Sequence, residues 1–142
     1  MPDRHFHSLR VYVEDTDIGG IVYYANYLKF AERARTEMLR EVDLSHATMI
    51  DKEHLFLAVR KCEIEYIKPA YLDDWLRIET AIEDVSGVRL KMKQNILKDQ
   101  ELLSALQVEI VCISENGKPV RLPANLLKAL RLYQPTKIEK VL

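Results

Sequence analysis

Three acids and two glycines crowd near the start of the chain, in Glu14-Asp15-Thr16-Asp17-Ile18-Gly19-Gly20, just ahead of a helical pattern. A helix start offers amides with no intrahelical partner and the positive end of the helix dipole. A carboxylate placed beside it can activate water or attack a carbonyl carbon while those amides hold the developing oxyanion. Asp17 is the candidate for that work. Taken alone, an Asp-Gly cluster reads first as an ordinary polar turn. Between Gly20 and Tyr24, however, there is no Ser, Thr, Asp or Asn to cap a first turn. A helix beginning near Tyr24 leaves its first amides free for a ligand's carbonyl oxygen. One beginning at Asn26 lets that side chain satisfy two of them. Both starts are open at this level.

Other chemistries lack their residues. There is no GxSxG elbow, no HExxH or paired CxxC, and no GxGxxG or Walker pattern. His5, His7, His46 and His54 are scattered and read as surface or loop residues. Neither a metal site nor a cofactor is expected. Acids and bases are interleaved, the formal net charge is -1, and nothing marks a nucleic-acid binder. No apolar run approaches a membrane span, and Met1 to His5 lacks the layout of a signal peptide. Cys62 and Cys112 lie far apart, so a reducing cytoplasm is the expected location, with both thiols as small core residues. Residues 1–142 suit one domain with one core.

The elements that must position Asp17 follow from periodicity. Leu9, Val11 and Val13 alternate with polar neighbours as a half-buried strand. From about Tyr24 the period becomes helical: Tyr24, Tyr27, Leu28, Ala31, Ala34, Met38, Leu39 and Val42 form one stripe. Arg33 and Glu37 are spaced to pair across one turn, worth about 0.3 kcal/mol. Ala31 and Ala34 let a neighbour approach closely. A polar stretch over 45–54 precedes four strands, centred on Leu55 to Ile67, Leu76 to Ile82, Val88 to Ile96 and Leu106 to Cys112. A three-residue loop at Val85-Ser86-Gly87 would set Glu83 opposite Arg89 and Glu79 opposite Lys93. A two-residue loop would set Glu83 opposite Leu90 and mix the faces. The first register is expected. Asn116-Gly117 marks a turn, Pro123 opens a short helix over 124–132, and a loose tail over 133–142 is expected. One long helix with no partner helix requires a curved antiparallel sheet to wrap it. The sheet face left partly apolar calls for a second subunit.

The stretch from Val11 to Arg40, VYVEDTDIGGIVYYANYLKFAERARTEMLR, resembles the signature of the 4-hydroxybenzoyl-CoA thioesterase family, in its YbgC-type branch. The likeness continues through Val59-Arg60-Lys61, Glu65-Tyr66 and Pro69 to Asp74, and covers roughly residues 8 to 125. It implies an α+β hotdog fold, a five-stranded antiparallel sheet wrapped around one long helix. It also implies edge-to-edge homodimers that commonly pair into homotetramers, with active sites at the subunit interface. By the same resemblance Asp17 is the catalytic residue, as nucleophile or as general base. The backbone amide of Tyr24, where relatives often carry His, polarises the thioester carbonyl.

An acyl-CoA thioesterase is therefore expected, with acyl-carrier protein as the other candidate donor and a short aliphatic or an aromatic acyl group. Substrate contacts are expected at Gly20, Val22 and Tyr27, and at Arg60, Lys61 and Arg89 for the CoA phosphates. Taken singly, each of those cations reads first as a solvated strand position, and each of Tyr12, Tyr23 and Tyr27 first as core filling. Glu32 and Arg35 are expected to help hold the interface. Two rivals stand beside this reading. A dehydratase acting on acyl-carrier protein is disfavoured because no His lies near the helix start. A non-catalytic acyl-binding or scaffold module of the envelope machinery would have no need of Asp17.

Overall fold

The computed structural model describes residues 3–135. The chain runs β1 (His5–Arg10), a 3-10 turn (Val13–Asp15), α1 (Asn26–Glu41), the short α2 (His46–Thr48) with a π turn (Met49–Glu53), β2 (Leu55–Tyr66), β3 (Trp75–Ser86), β4 (Arg89–Lys98), β5 (Glu101–Ser114) and α3 (Ala124–Arg131). The five strands form one sheet in the order β1-β3-β4-β5-β2, every neighbour antiparallel.

The sheet holds α1 because period-two and helical patterns meet face to face. Leu76, Ile78, Thr80 and Ile82 of β3, Leu90, Met92, Gln94 and Ile96 of β4, and Leu106, Val108, Ile110 and Cys112 of β5 are all buried. Opposite them lie Tyr27, Phe30, Ala31, Ala34, Met38 and Leu39 of α1. Fully burying one such Leu, Ile or Phe contributes about 1.5–3 kcal/mol. Tyr24 and Leu28, on the same expected stripe, stay 62% and 43% exposed on the side toward β2. The helix stops at Asp43, which takes φ 61, a left-handed conformation that Asp tolerates. The expected Arg33–Glu37 pair does not form; Glu37 pairs with Arg40 at 2.6 Å.

The β3–β4 register differs from expectation. The loop has two residues, Gly87 and Val88, with Gly87 at φ 58, so Ser86 faces Arg89. Glu83 is the extra residue of a bulge between Ile82 and Asp84, and Glu79 faces Asn95 rather than Lys93. The bulge removes the mixing of faces that a two-residue loop alone would impose. It coincides with the chain's return. The Ile82 amide donates to the Tyr133 carbonyl at 2.8 Å, and Gln134 Nε2 donates to the Glu83 carbonyl at 3.3 Å. Tyr133 is thus buried rather than part of a loose tail, while 136–142 lie outside the described residues.

Three further differences follow from position. Val13 leaves the first strand for the 3-10 turn and is 72% exposed. The polar stretch over 45–54 is mostly helical, with Met49 buried. Cys62 is exposed while Cys112 is buried, because β2 is an edge strand whose far half nothing among the described residues covers.

Candidate active site

The loop that carries Asp17 is a tight turn braced from both sides. The Asp17 amide donates to the Ile21 carbonyl at 2.9 Å, and the Gly20 amide returns to the Asp17 carbonyl at 3.1 Å. Gly20 takes φ 79, which a residue with a Cβ adopts only at a cost. The Gly19 amide donates to Asp17 Oδ1 at 2.9 Å, and a Cβ at position 19 would sit 3.3 Å from that oxygen. Asp17 is otherwise exposed, leaving Oδ2 to solvent. Behind the loop, the Val22 amide donates to the Ala70 carbonyl at 2.9 Å and the Leu72 amide to the Gly20 carbonyl at 3.3 Å.

Asp15 has a different task. It is buried, and its Oδ2 accepts from the Tyr12 amide at 2.8 Å. Its carbonyl accepts from the Tyr23 amide at 2.9 Å and from Asn26 Nδ2 at 2.8 Å. That second bond decides how the helix begins. The helix starts at Asn26, but the Asn26 side chain is committed to Asp15, and Ala25 ahead of it supplies no side-chain cap. Among the described residues nothing accepts from the amides of Tyr24 and Ala25. The helix start therefore keeps open donors beside an exposed carboxylate.

Aromatic rings frame this corner. Tyr23 and Tyr24 lie 4.9 Å apart, Tyr24 and Tyr66 6.4 Å, Tyr66 and Tyr27 5.4 Å, and Tyr27 and Phe30 6.1 Å between ring centres. The chain of rings runs from solvent into the core. The Tyr66 hydroxyl donates to the Tyr24 carbonyl at 2.9 Å, and the Tyr27 hydroxyl accepts from the Ala70 amide at 3.0 Å. The Tyr23 phenol is pushed above its usual range, first by its hydrogen bond with Tyr24 and least by the charge of Asp17.

The expected substrate contacts divide into two places. Gly20 belongs to the Asp17 turn, and Val22 and Tyr27 lie beneath it, each only 3% exposed in the single chain. Arg60 and Lys61 sit at the bulge of β2, about six residues and ~20 Å along the strand from Tyr66. Arg60 pairs with Glu109, and Lys61 with Glu63 at 3.2 Å. Arg89 and Lys91 lie beside them. Glu109 is held below its usual carboxyl range, first by the hydrogen bond from Arg60 and then by these charges. Within one chain the structure does not bring this basic cluster to Asp17.

Sequence reasoning passed over three features. Tyr66 entered only as part of a motif. Gln94, fully buried on an inward position, donates from Nε2 to the Ala31 carbonyl at 2.9 Å and to Thr80 Oγ1 at 3.0 Å, while its Oε1 accepts from Arg35 Nη1 at 3.0 Å. Two polar residues at core positions of adjacent strands were the available signal. His5, read as a surface residue, is buried. Its Nε2 lies 2.9 Å from Glu41 Oε2, and its ring meets Tyr133 edge-on at 5.7 Å.

The family model of the thioesterase-like superfamily matches residues 11–130. The chain belongs to that superfamily. Among curated superfamily proteins, the acyl-CoA thioesterase YbgC of Haemophilus influenzae is 38% identical over 122 residues, 85% of this chain and 90% of that protein. The acyl-CoA thioester hydrolase YbgC of Escherichia coli O6:H1 is 43% identical over 121 residues, 84% of this chain and 90% of that protein. A crystal structure of a probable thioesterase from Bartonella henselae is 43% identical with a TM-score of 0.82, covering 84% of this chain and 99% of that one. The chain is thus a YbgC-type thioesterase, a thioester hydrolase, and its helix-wrapping sheet is the hotdog fold. Among the described residues no helix is long and apolar enough to cross a membrane.

Proposed function

We propose that this thioesterase hydrolyses an acyl-CoA to the free acid and CoA, with Asp17 as general base and the Tyr24 amide as the oxyanion donor. The observation that carries the reading is the exposed Asp17 carboxylate, steadied through one oxygen by Gly19, beside a helix start whose Tyr24 amide has no acceptor among the described residues. Both curated YbgC relatives are named for acyl-CoA hydrolysis.

The chemistry asks little more. A water held by Asp17 Oδ2 attacks the thioester carbonyl carbon and gives its proton to the carboxylate. The carbonyl oxygen becomes an oxyanion held by the Tyr24 amide; losing such a donor costs about 3 kcal/mol in comparable enzymes. Collapse breaks the C–S bond, and the proton on Asp17 passes to the departing thiolate. The acid and the free thiol of CoA leave, and the carboxylate is restored. The alternative course, attack by Asp17 itself through a mixed anhydride, is tested by a single turnover in 18O water: a label on Asp17, which only opening of that anhydride at the Asp17 carbonyl can leave, overturns the base route.

Two copies joined along their β2 edges complete this reading. Among the described residues β2 has an unpaired edge, and it exposes Val59 and Tyr66, with Ile67 exposed just beyond its end. Pairing would carry one chain's Arg60, Lys61 and Arg89 toward its partner's Asp17, where the CoA phosphates need cations. The working form is then a homodimer or a pair of dimers, acting in the cytoplasm, and an acyl-carrier protein is the second candidate donor. Free-thiol release from a panel of acyl-CoA esters tests the class. Release is expected; none from any CoA ester overturns the assignment.

A further inference from the structure

The carboxylate and the oxyanion donor of the proposed reaction sit on separate stretches of chain, and one further residue ties the two together. Asp17 stands two residues after Asp15, and Tyr24 two residues before Asn26. Asn26 Nδ2 donates to the Asp15 carbonyl at 2.8 Å, and the same oxygen accepts from the Tyr23 amide at 2.9 Å. The Asn26 main-chain amide donates to the Tyr23 carbonyl at 2.8 Å. Tyr23 is therefore gripped at both ends, its N–H by Asp15 and its C=O by Asn26. The Asp15 side of this clasp is itself fixed. Its amide donates to the Tyr12 carbonyl at 3.0 Å, and its buried carboxylate accepts from the Tyr12 amide at 2.8 Å.

The clasp aims one peptide. The Tyr24 N–H shares its peptide plane with the Tyr23 C=O, and in a trans peptide the two point in opposite directions. With the carbonyl turned onto the Asn26 amide, the Tyr24 N–H points away from α1, where nothing among the described residues accepts it. The main-chain part of the clasp forms whatever residue stands at position 26. The Nδ2 bond does not: it spans eleven residues of sequence and needs a side chain that donates. Asn at a helix start commonly turns its side-chain oxygen to the first-turn amides. Here its nitrogen reaches instead to the segment that carries Asp17.

We propose that Asn26 is a positioning residue of the hydrolysis: its side-chain amide, acting through the Asp15 carbonyl, sets the separation between the Asp17 carboxylate and the Tyr24 N–H. This inference rests on the reading of Asp17 as base and of the Tyr24 amide as oxyanion donor. Asn26→Asp isolates the role. It keeps the size of the side chain, but an ionised carboxyl has no hydrogen to give and repels the Asp15 carbonyl. A negative charge at a helix start is favoured by the helix dipole, and the Asp15 carbonyl keeps its bond from Tyr23, so the fold loses little. Once protonated, the carboxyl donates again. Burial and the Asp15 carboxylate favour that protonation, which sets in as the pH falls toward about 5.

The test measures kcat, KM and melting temperature for wild type, Asn26→Asp and Asn26→Ala at pH 7.5 and pH 5.0, on the best cleaved of acetyl-, butyryl-, hexanoyl- and benzoyl-CoA. At pH 7.5 Asn26→Asp is expected to lower kcat about tenfold or more, toward the ~100-fold that a misplacement of ~1 Å costs. KM and melting temperature are expected to stay close to wild type. At pH 5.0 the ratio of wild-type to Asn26→Asp kcat is expected to shrink severalfold. Asn26→Ala, which lacks a donor at either pH, is expected to lower kcat by the same factor at both, and it carries the test if the Asp variant fails to fold. Normal kcat in the variants overturns the positioning role and leaves the thioesterase intact. A kcat loss that follows a loss of folded protein, with no recovery of Asn26→Asp at pH 5.0, makes Asn26 structural and overturns it too. An inactive wild type on all four esters overturns the thioesterase reading and this inference with it.

Discussion

The hydroxyl of Tyr66, the last residue of β2, donates a hydrogen bond to the main-chain carbonyl of Tyr24 at 2.9 Å. It ties the edge strand to the peptide that follows the proposed oxyanion donor. Tyr66 is 45% exposed, so the bond adds little to global stability and much to the aim of one amide. Tyr66→Phe is expected to lower kcat about fivefold, matching the loss of ~1 kcal/mol of hydrogen bonding. KM and melting temperature should hardly move. A variant with normal kcat and a lowered melting temperature would make Tyr66 a structural residue only.

Gly20 is a second handle on the same geometry. Its φ of 79 closes the turn that presents Asp17, and open space surrounds the position where a Cβ would go. Backbone strain, not crowding, is then the penalty. Gly20→Ala should cost about 1–2 kcal/mol of stability and lower kcat more than that loss of folded protein accounts for. Denaturant melts read beside single-turnover rates check this. An unaltered melt would mean that the turn tolerates a different conformation.

Gln94 joins α1, β3 and the Arg35 guanidinium through three hydrogen bonds in the core. Gln94→Leu keeps the volume and deletes the polar group. It leaves Arg35 half-buried without an acceptor and should destabilise by about 2–4 kcal/mol, read as a lower urea midpoint at unchanged slope. A neutral effect would show that Arg35 finds another partner at no cost.

His5 makes stability depend on pH. Burial lowers its pKa below 6.5 in the folded chain, more than the nearby Glu41 raises it; His7 lowers it further, and Glu37 opposes. A folded state that resists protonation binds fewer protons than the unfolded chain below pH 6.5. The His5 contribution is therefore fully present above pH 6.5 and is lost as pH falls through the folded pKa. Melting temperature should drop between pH 7.5 and 5.5, and His5→Gln should flatten that drop. An equal slope in both proteins would assign the effect elsewhere.

Much of the fold was readable from residue order. Period-two runs and the helical stripe placed four strands and the long helix, because alternation reports which face a side chain takes. Alternation does not report what covers that face. Cys62 has the parity of a core residue, yet it is exposed because β2 lies at the sheet edge. The β3–β4 register escaped for a related reason. A bulge at Glu83 has no composition of its own, and it is stabilised by Tyr133 and Gln134, some fifty residues away in sequence. At the site, the spacing of Asp17 and the glycines reads by itself as a polar turn, and it is the family resemblance that singles out Asp17. The diversion of Asn26 to the Asp15 carbonyl, which leaves the first amides open, is a tertiary contact that no local pattern announces.

The most direct test of the account is steady-state thiol release by Asp17→Asn beside wild type, on whichever acyl-CoA the wild type cleaves best, with melting temperatures measured on the same samples. Asn can still accept the Gly19 amide through its side-chain oxygen and so preserves the turn. The expected result is a kcat lowered about 100-fold or more, the range for loss of a general base, at an unchanged melting temperature. Near-normal turnover by a normally folded Asp17→Asn protein would contradict the assignment of Asp17.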